Sequence, residues 1–213
     1  MIKSFPRIYP ILDSSVIPVG GRSEFLLRLG ASLTEAGVRL LEYRNKVGTE
    51  AVLLADAEVL RRAMPAGVVK LILDDRADLV ERVGFDGVHV DAGDVTASKA
   101  RRLVGPERIV GTFGGSDSLV PGVLAEPANY FSIGPVFATT TKQTDKASIG
   151  IEGVRKLRDQ AGPGPVLVAA AGITLGTMPL VLSAGATSVA VAAALFTKPD
   201  PPAEFRKWIS ALA

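Results

Sequence analysis

The chain has 213 residues, 47% of them hydrophobic, which is enough to bury the core of one domain spanning residues 1–213. Its 24 Lys and Arg are interspersed with 22 Asp and Glu, and no basic tract carries interleaved aromatic residues, which argues against a nucleic-acid partner. The absence of cysteine excludes disulfides and thiolate chemistry, and no apolar run reaches the ~18 residues of a membrane span, so we expect a cytoplasmic protein with no membrane partner.

Strand-like and helix-like segments alternate along the chain. The first strand, 8–12, ends at Asp13, and the first helix, 23–37, has apolar residues at helical spacing, with Ser23 as its expected N-cap and Gly37 at its end. Further strands are predicted at 38–44, 68–73, 87–90, 108–112, 129–134, 165–170 and 188–193. Further helices are predicted at 49–64, 77–83, 96–104, 117–125, 151–160, 175–184 and 203–212. The segment 113–115 is expected to be a loop after the fifth strand.

Eight strand-then-helix units of roughly 25 residues each predict an α/β fold, a single (β/α)8 TIM barrel. The nearly continuous apolar strands favour parallel pairing with helices on the outer face. The carboxyl ends of all strands then meet at one mouth, where the active sites of this fold lie. The polar and small residues expected at that mouth are Arg44, Lys46, Asp74, Asp75, Asp94, Thr139, Thr141, Lys142 and Gly172.

The segment 133–145 ends a strand-like run in three hydroxyls and a lysine. Thr139, Thr140 and Thr141 offer hydroxyl donors and Lys142 adds a positive charge, which together suit a phosphate or diphosphate. The alternative is a polar surface loop.

Two carboxylates follow neighbouring strands. Asp75 follows the third strand and Asp94 the fourth, and hard oxygen ligands without nearby histidine or cysteine favour Mg²⁺. The positive side chains of Arg44, Lys46 and Lys142 would hold a diphosphate opposite the metal. The alternative is that the two aspartates cap the helices that follow them.

Small residues after the last two strands predict a second anion site. The segments 171–173 and 191–193 let backbone N–H groups approach a ligand, and this fold often binds phosphate there. The alternative is tight packing of helices on strands. Two anion sites imply one substrate with a diphosphate and another with a monophosphate.

His89 is the only histidine, and because it lies within a strand we expect a packing or hydrogen-bonding residue. A Ser-His-Asp arrangement without it is impossible. A metal ion and cations can stabilise a departing diphosphate by charge alone, so the predicted reaction is a displacement at carbon.

The chain resembles the thiamine-phosphate synthase family, whose sister branch contains the thiazole tautomerases. The segments that carry the resemblance are 43–46, 71–79, 86–89 and 130–142, with the Gly-Pro-Val-Phe-x-Thr-x-Thr-Lys string at 134–142 the most specific. The resemblance implies condensation of hydroxymethylpyrimidine diphosphate with hydroxyethylthiazole phosphate. In this family the diphosphate leaves first, and the thiazole nitrogen attacks the resulting cation.

The resemblance also implies roles for individual residues. Arg44, Lys46 and Lys142 would hold the diphosphate as catalytic residues, and Asp75 and Asp94 would bind Mg²⁺. Thr139, Thr140, Thr141, Gly172, Ala192 and Ala193 would hold the thiazole phosphate. Glu42, Tyr43, Asn45, Asp74 and Phe113 complete the expected substrate-binding set.

Five positions depart from the family pattern. Glu42 replaces Gln, Asp74 replaces Asn, Ala92 replaces Gln, and Phe113 and Ala193 each replace Ser. Losing a polar contact to a buried ligand costs ~1–3 kcal/mol, so the pyrimidine pocket is expected to bind its ring differently.

Two other functions remain open. A thiazole tautomerase needs a histidine shuttle after the fifth strand, where this chain has Gly115, and a non-catalytic phosphate-ligand binder would explain the altered pyrimidine pocket. Every alternative predicts small phosphorylated molecules as partners, and the sequence leaves assembly into a homo-oligomer open.

Overall fold

The structure is a computed structural model that describes residues 5–91, 93–119, 121–139 and 146–212. Its strands form a closed parallel barrel in the order β1 to β8, so the predicted (β/α)8 fold is confirmed. The strands are β1 Ile8–Asp13, β2 Leu40–Arg44, β3 Lys70–Asp74, β4 Gly87–Val90, β5 Ile109–Gly115, β6 Tyr130–Ile133, β7 Leu167–Ala169 and β8 Ser188–Val191. The barrel closes where Ile8 on β1 pairs with Val189 on β8.

Helices follow the strands and cover the outside of the barrel. They are α1 Arg22–Glu35, α2 Glu50–Ala63, α3 Val80–Val83, α4 Ala97–Val104, α5 Pro121–Leu124, α6 Gly150–Ala161, α7 Met178–Ser183, α8 Ala193–Phe196 and α9 Pro201–Ser210. In the part of the chain that the structure describes, no helix combines the length and apolarity needed to cross a bilayer.

Three local predictions were wrong. Helix α1 begins after Gly21, which adopts a left-handed conformation, so Ser23 lies inside the first turn and is not the N-cap. The expected loop 113–115 is the end of β5, because Phe113 and Gly115 still pair with β6 across a register shift. The short helix α8 also departs from the prediction, which extends the eighth strand to residue 193 and places no helix before residue 203.

The hydrophobic residues form two separate layers. The larger layer lies between the strands and the helices, and the smaller one fills the inside of the barrel. The inner layer consists of Tyr9, Leu40, Ile72, Ile109, Tyr130, Val168 and Ala190, one residue from nearly every strand. Side chains that alternate along a strand point to opposite faces, so the inner layer and the cavity above it come from every second residue.

Gly111 on β5 makes room for the largest inner side chain. A Cβ at this position would lie 2.0 Å from Cζ of Tyr130 on β6. The missing side chain lets the Tyr130 ring cross over β5 and reach His89 on β4, where the two rings stack with centroids 5.5 Å apart. A glycine on one strand thus sets the floor of the cavity.

Candidate active site

A cavity of about 720 Å³ opens at the carboxyl ends of the strands. It is lined by residues two apart on successive strands: Tyr9 and Ile11, Glu42 and Arg44, His89 and Asp91, Tyr130 and Ser132, Val168 and Ala170, and Ala190 and Ala192. Residues two apart on a strand point to the same face of the sheet, which here is the inside of the barrel. The cavity therefore has charged residues on the β2 to β4 side and apolar residues on the β7 and β8 side.

A cluster of ion pairs joins the ends of β1, β2 and β3. Arg44 donates to the Asp13 carboxylate, and its Nε lies 3.6 Å from Oδ2 of Asp74. The Lys46 ammonium lies 3.0 Å from the same oxygen and donates to Asp75. Although burial works against the charge of Lys46, the hydrogen bond to Asp75 and the charge of Asp74 raise its pKa, so Lys46 is protonated at neutral pH.

The two predicted metal ligands are in contact. Burial and a hydrogen bond with Asp75 raise the pKa of Asp94. Oδ1 of Asp75 is buried without a hydrogen-bond partner among the described residues. Two adjoining carboxylates with an unsatisfied oxygen suit Mg²⁺, which takes few protein ligands and completes its shell with water and phosphate oxygens. The donor set therefore fits this ion.

The alternative role of these aspartates as helix caps is wrong. Thr96 caps α4 by accepting a hydrogen bond from the Lys99 amide, and Asp94 Oδ2 instead accepts one from the Asp91 amide at 2.8 Å. Asp75 has a φ of 65°, in the left-handed region, and its amide donates to the His89 carbonyl at 2.8 Å. The backbone thus holds Asp75 beside β4, toward Asp94.

A chain of buried hydrogen bonds crosses the floor of the cavity. The Tyr9 hydroxyl donates to Oε2 of Glu42 at 2.7 Å and lies 2.7 Å from the Tyr130 hydroxyl, which is 3.1 Å from Nδ1 of His89. All four side chains are buried. Phe5 packs against the Tyr9 and Tyr130 rings from below, at centroid distances of 5.9 and 5.1 Å. The prediction of a hydrogen-bonding His89 is confirmed.

The loops after β6 and β7 form the opposite wall. The Phe137 amide donates to the Ala171 carbonyl at 3.1 Å, and a Cβ on Gly172 would lie 2.4 Å from the Ala138 carbonyl oxygen. Close packing of the two loops therefore requires Gly172, a loop-to-loop contact and not the packing of helices on strands that the alternative predicted. Gly172 also lines the cavity, together with Thr139, Ala192 and Ala193.

The comparisons with known proteins agree with this geometry. The model of the thiamine monophosphate synthase family matches residues 8–195. The chain belongs to this family. A thiamine-phosphate synthase from Koribacter versatilis is 38% identical over 194 residues, covering 91% of this chain and 90% of the relative. One from Agrobacterium fabrum is 35% identical over 193 residues, covering 89% and 86%.

A solved structure of a thiamine phosphate pyrophosphorylase from Pyrococcus furiosus superimposes with a TM-score of 0.77 at 22% identity, covering 97% of this chain and 95% of that one. At this identity the likeness supports the barrel fold alone. The predicted membership of the thiamine monophosphate synthase family rests on the family model and the two relatives, which confirm it.

The structure brings together most of the residues predicted for this family member's site. Glu42, Arg44, Asp74, Phe113, Thr139, Gly172, Ala192 and Ala193 line the cavity. Lys46 adjoins it through Asp74, Asp75 contacts Lys46, and Asp94 contacts Asp75. Thr140, Thr141 and Lys142, together with Ala92, lie outside the described residues, so the contacts predicted for them stay predictions.

Tyr43 does not belong to this set. It lies on the outward face of β2, where its hydroxyl donates to Asp56 on α2, and Arg22 pairs with the same carboxylate at 2.6 Å. The prediction that Tyr43 contacts substrate was wrong because alternate strand residues face opposite sides. Asn45 shapes its own loop by accepting hydrogen bonds from Ser14 Oγ and the Gly48 amide at 3.0 and 2.7 Å.

Sequence analysis missed several residues of the site. Tyr9, Tyr130 and Asp91 line the cavity, and the Lys146 ammonium lies 3.9 Å from the centroid of the Phe113 ring. Counting every second residue along each strand predicts that Tyr9, Tyr130 and Asp91 point into the barrel, as Glu42 and His89 do. No local pattern in the sequence marks Lys146.

Proposed function

We propose that this chain is a thiamine-phosphate synthase that works in the cytoplasm on two small phosphorylated substrates. The family match confirms the predicted activity, a transferase that makes thiamine phosphate. The observation that supports it best is the contact between the cation cluster of Arg44 and Lys46 and the acidic pair of Asp75 and Asp94 at the mouth of one cavity.

The proposed reaction breaks the bond between the pyrimidine methylene carbon and the diphosphate oxygen, and forms a bond from that carbon to the thiazole nitrogen. Arg44 and Lys46 neutralise the negative charge that grows on the leaving diphosphate. Lys46 has a flexible stem and can turn from Asp75 to the diphosphate. Lys142 is predicted to add a third positive charge.

Asp75 and Asp94 would hold Mg²⁺, which supplies Lewis-acid stabilisation of the diphosphate when it is bound. The Asp74 carboxylate lies between Lys46 and Arg44 and keeps both cations at the mouth. The protein therefore positions charge on both sides of the leaving group without a proton-transfer residue.

The apolar side of the cavity protects the reacting carbon. Val168, Ala170 and Ala190 line this side and lack groups that could attack a cation. The loops that carry Thr139 and Gly172, with Ala192 and Ala193 after β8, are proposed to hold the thiazole phosphate. Phosphate binding after the seventh and eighth strands is common in this fold.

The test is incubation of the purified protein with both substrates and Mg²⁺, followed by product analysis. We expect thiamine phosphate and diphosphate in equal amounts. Tight binding of the thiazole phosphate without product would instead favour a non-catalytic binder. Hydrogen exchange on a thiazole carboxylate phosphate, again without condensation, would favour a tautomerase.

A further inference from the structure

Glu42 lies in surroundings that disfavour a charged carboxylate. It is 3% exposed, on the inward face of β2. The groups that face it are the Tyr9 hydroxyl from β1, the Asp74 carboxylate from β3 and the Asp91 carboxylate after β4. A buried carboxylate with one phenol donor and two negative neighbours gains more from taking up a proton than from staying charged.

The nearest cation on its own strand does not change this. The Arg44 guanidinium pairs with Asp13 and Asp74, so much of its charge is already matched. His89 on β4 and Tyr130 on β6 lie on the same floor and interact with each other. Burial, followed by the charge of Asp74, raises the pKa of Glu42 well above its ordinary value.

With Tyr9 as the donor to Glu42, donor counting gives the hydrogen-bond chain one consistent direction. Each tyrosine hydroxyl carries a single proton. Because Tyr9 donates its proton to Oε2 of Glu42, Tyr130 must donate to Tyr9. His89 must then donate from Nδ1 to the Tyr130 oxygen. With Oε2 accepting, Oε1 is the oxygen left for the acidic proton of Glu42.

We propose that Glu42 is a specificity-determining residue that acts as a neutral carboxylic acid and donates a hydrogen bond from Oε1 to an unprotonated nitrogen of the substrate's heteroaromatic ring. The inference rests on the proposed function, because the cavity above Glu42 is where the ring of the diphosphate substrate would lie. A protonated carboxyl group has one hydrogen-bond donor and one acceptor, as a carboxamide has. It can therefore donate to a ring nitrogen whose lone pair a carboxylate would repel.

The first test examines the protonation state without any ligand. The infrared difference spectrum between wild type and Glu42→Gln at pH 7.5 should contain the carbonyl stretch of a protonated carboxylic acid. A carboxylate band in its place would overturn the proposal. This readout needs only folded protein, and Glu42→Gln nearly preserves the shape of the side chain.

The second test measures the dissociation constant of hydroxymethylpyrimidine diphosphate by calorimetry between pH 6.5 and pH 9.5. Wild-type affinity should fall as Glu42 loses its proton at high pH, whereas the affinity of Glu42→Gln should lack that fall. Glu42→Ala should weaken binding about tenfold at pH 7, as expected for one buried hydrogen bond. Glu58→Gln, an exposed change on α2, serves as the matched control and should follow wild type.

An analogue with the contacted ring nitrogen replaced by C–H should bind wild type and Glu42→Ala equally. Equal affinity of these two proteins for the normal substrate, or a Glu42→Gln protein as weak as Glu42→Ala, would overturn the inference. If turnover still occurs in that case, the proposed synthase activity stands. A wild-type protein that neither binds nor converts the pyrimidine diphosphate would overturn both.

Discussion

Replacing Asp75 with asparagine removes one negative charge from the mouth of the barrel and leaves the backbone in place. Asp75 has a φ of 65°, and asparagine tolerates this left-handed conformation, whereas Asp75→Ala would add strain of ~1–2 kcal/mol. The Asp75 amide keeps its hydrogen bond to the His89 carbonyl in either case. The variant therefore tests the carboxylate alone.

The expected loss follows from the position of the carboxylate. Removing one contact to charge that develops in the transition state costs ~100–1000-fold in kcat. The Asp75 side chain is 23% exposed, so solvent screens part of its interaction and we place the loss near ~100-fold, or ~2.7 kcal/mol. The Mg²⁺ concentration at half-maximal rate should also rise at least ~10-fold, because half of the proposed ligand pair is lost.

Steady-state formation of thiamine phosphate across a Mg²⁺ titration measures both effects. Asp78→Asn is the matched control, since Asp78 lies three residues further along the chain, is 55% exposed and pairs with Arg76 at the surface. It should stay within about twofold of wild type in kcat, as expected for an exposed ion pair. A kcat and Mg²⁺ midpoint for Asp75→Asn that match those of Asp78→Asn would refute the proposed metal site.

Three further predictions concern the metal, the buried carboxylate and the barrel floor. Chelation with EDTA should abolish turnover and added Mg²⁺ should restore it, while the unfolding temperature changes little; full activity in EDTA would contradict the metal proposal. Burial, then the charge of Asp75, raises the pKa of Asp74 to about 6. The folded protein therefore binds a proton on the Asp74 carboxylate more tightly than the unfolded chain does, and the protein loses stability as pH rises from ~4 to ~6. Asp74→Asn should therefore raise the free energy of unfolding by ~2–3 kcal/mol at pH 8 in EDTA and change it little at pH 4. Denaturant melts that give the same change at both pH values would contradict the raised pKa of Asp74. Gly111→Ala should destabilise the protein by ~1–3 kcal/mol because its Cβ would lie 2.0 Å from Tyr130 Cζ, whereas Gly20→Ala has no atom within 4 Å and should be neutral in the same melts.

The fold could be predicted from the sequence because most of its strands and helices have a recognisable local pattern. Apolar runs alternate with helical periodicity eight times, and this order admits few topologies other than a barrel. The errors lie where tertiary contacts decide. Residues 113–115 look like a loop in isolation, but pairing with β6 extends the strand, and the four-residue α8 is too short to show a period.

The mouth of the site was predictable for a similar reason. Arg44 ends β2, Asp75 and Asp94 come after β3 and β4, and parallel strands in a barrel bring their ends together. The floor was not. Strands covered on both sides are nearly uniformly apolar, which hides the alternation that turns Tyr9 and Tyr130 inward and Tyr43 outward. The contact of Tyr130 with His89 further depends on the space above Gly111, which only the assembled barrel reveals.

A single-turnover experiment, with the protein in excess over hydroxymethylpyrimidine diphosphate and with thiazole phosphate and Mg²⁺ saturating, tests the proposed chemistry most directly. The arrangement of cations and carboxylates at this mouth predicts complete conversion of the pyrimidine substrate to thiamine phosphate, with one diphosphate released per product. Recovery of the pyrimidine diphosphate unchanged from a folded, metal-loaded sample would contradict it.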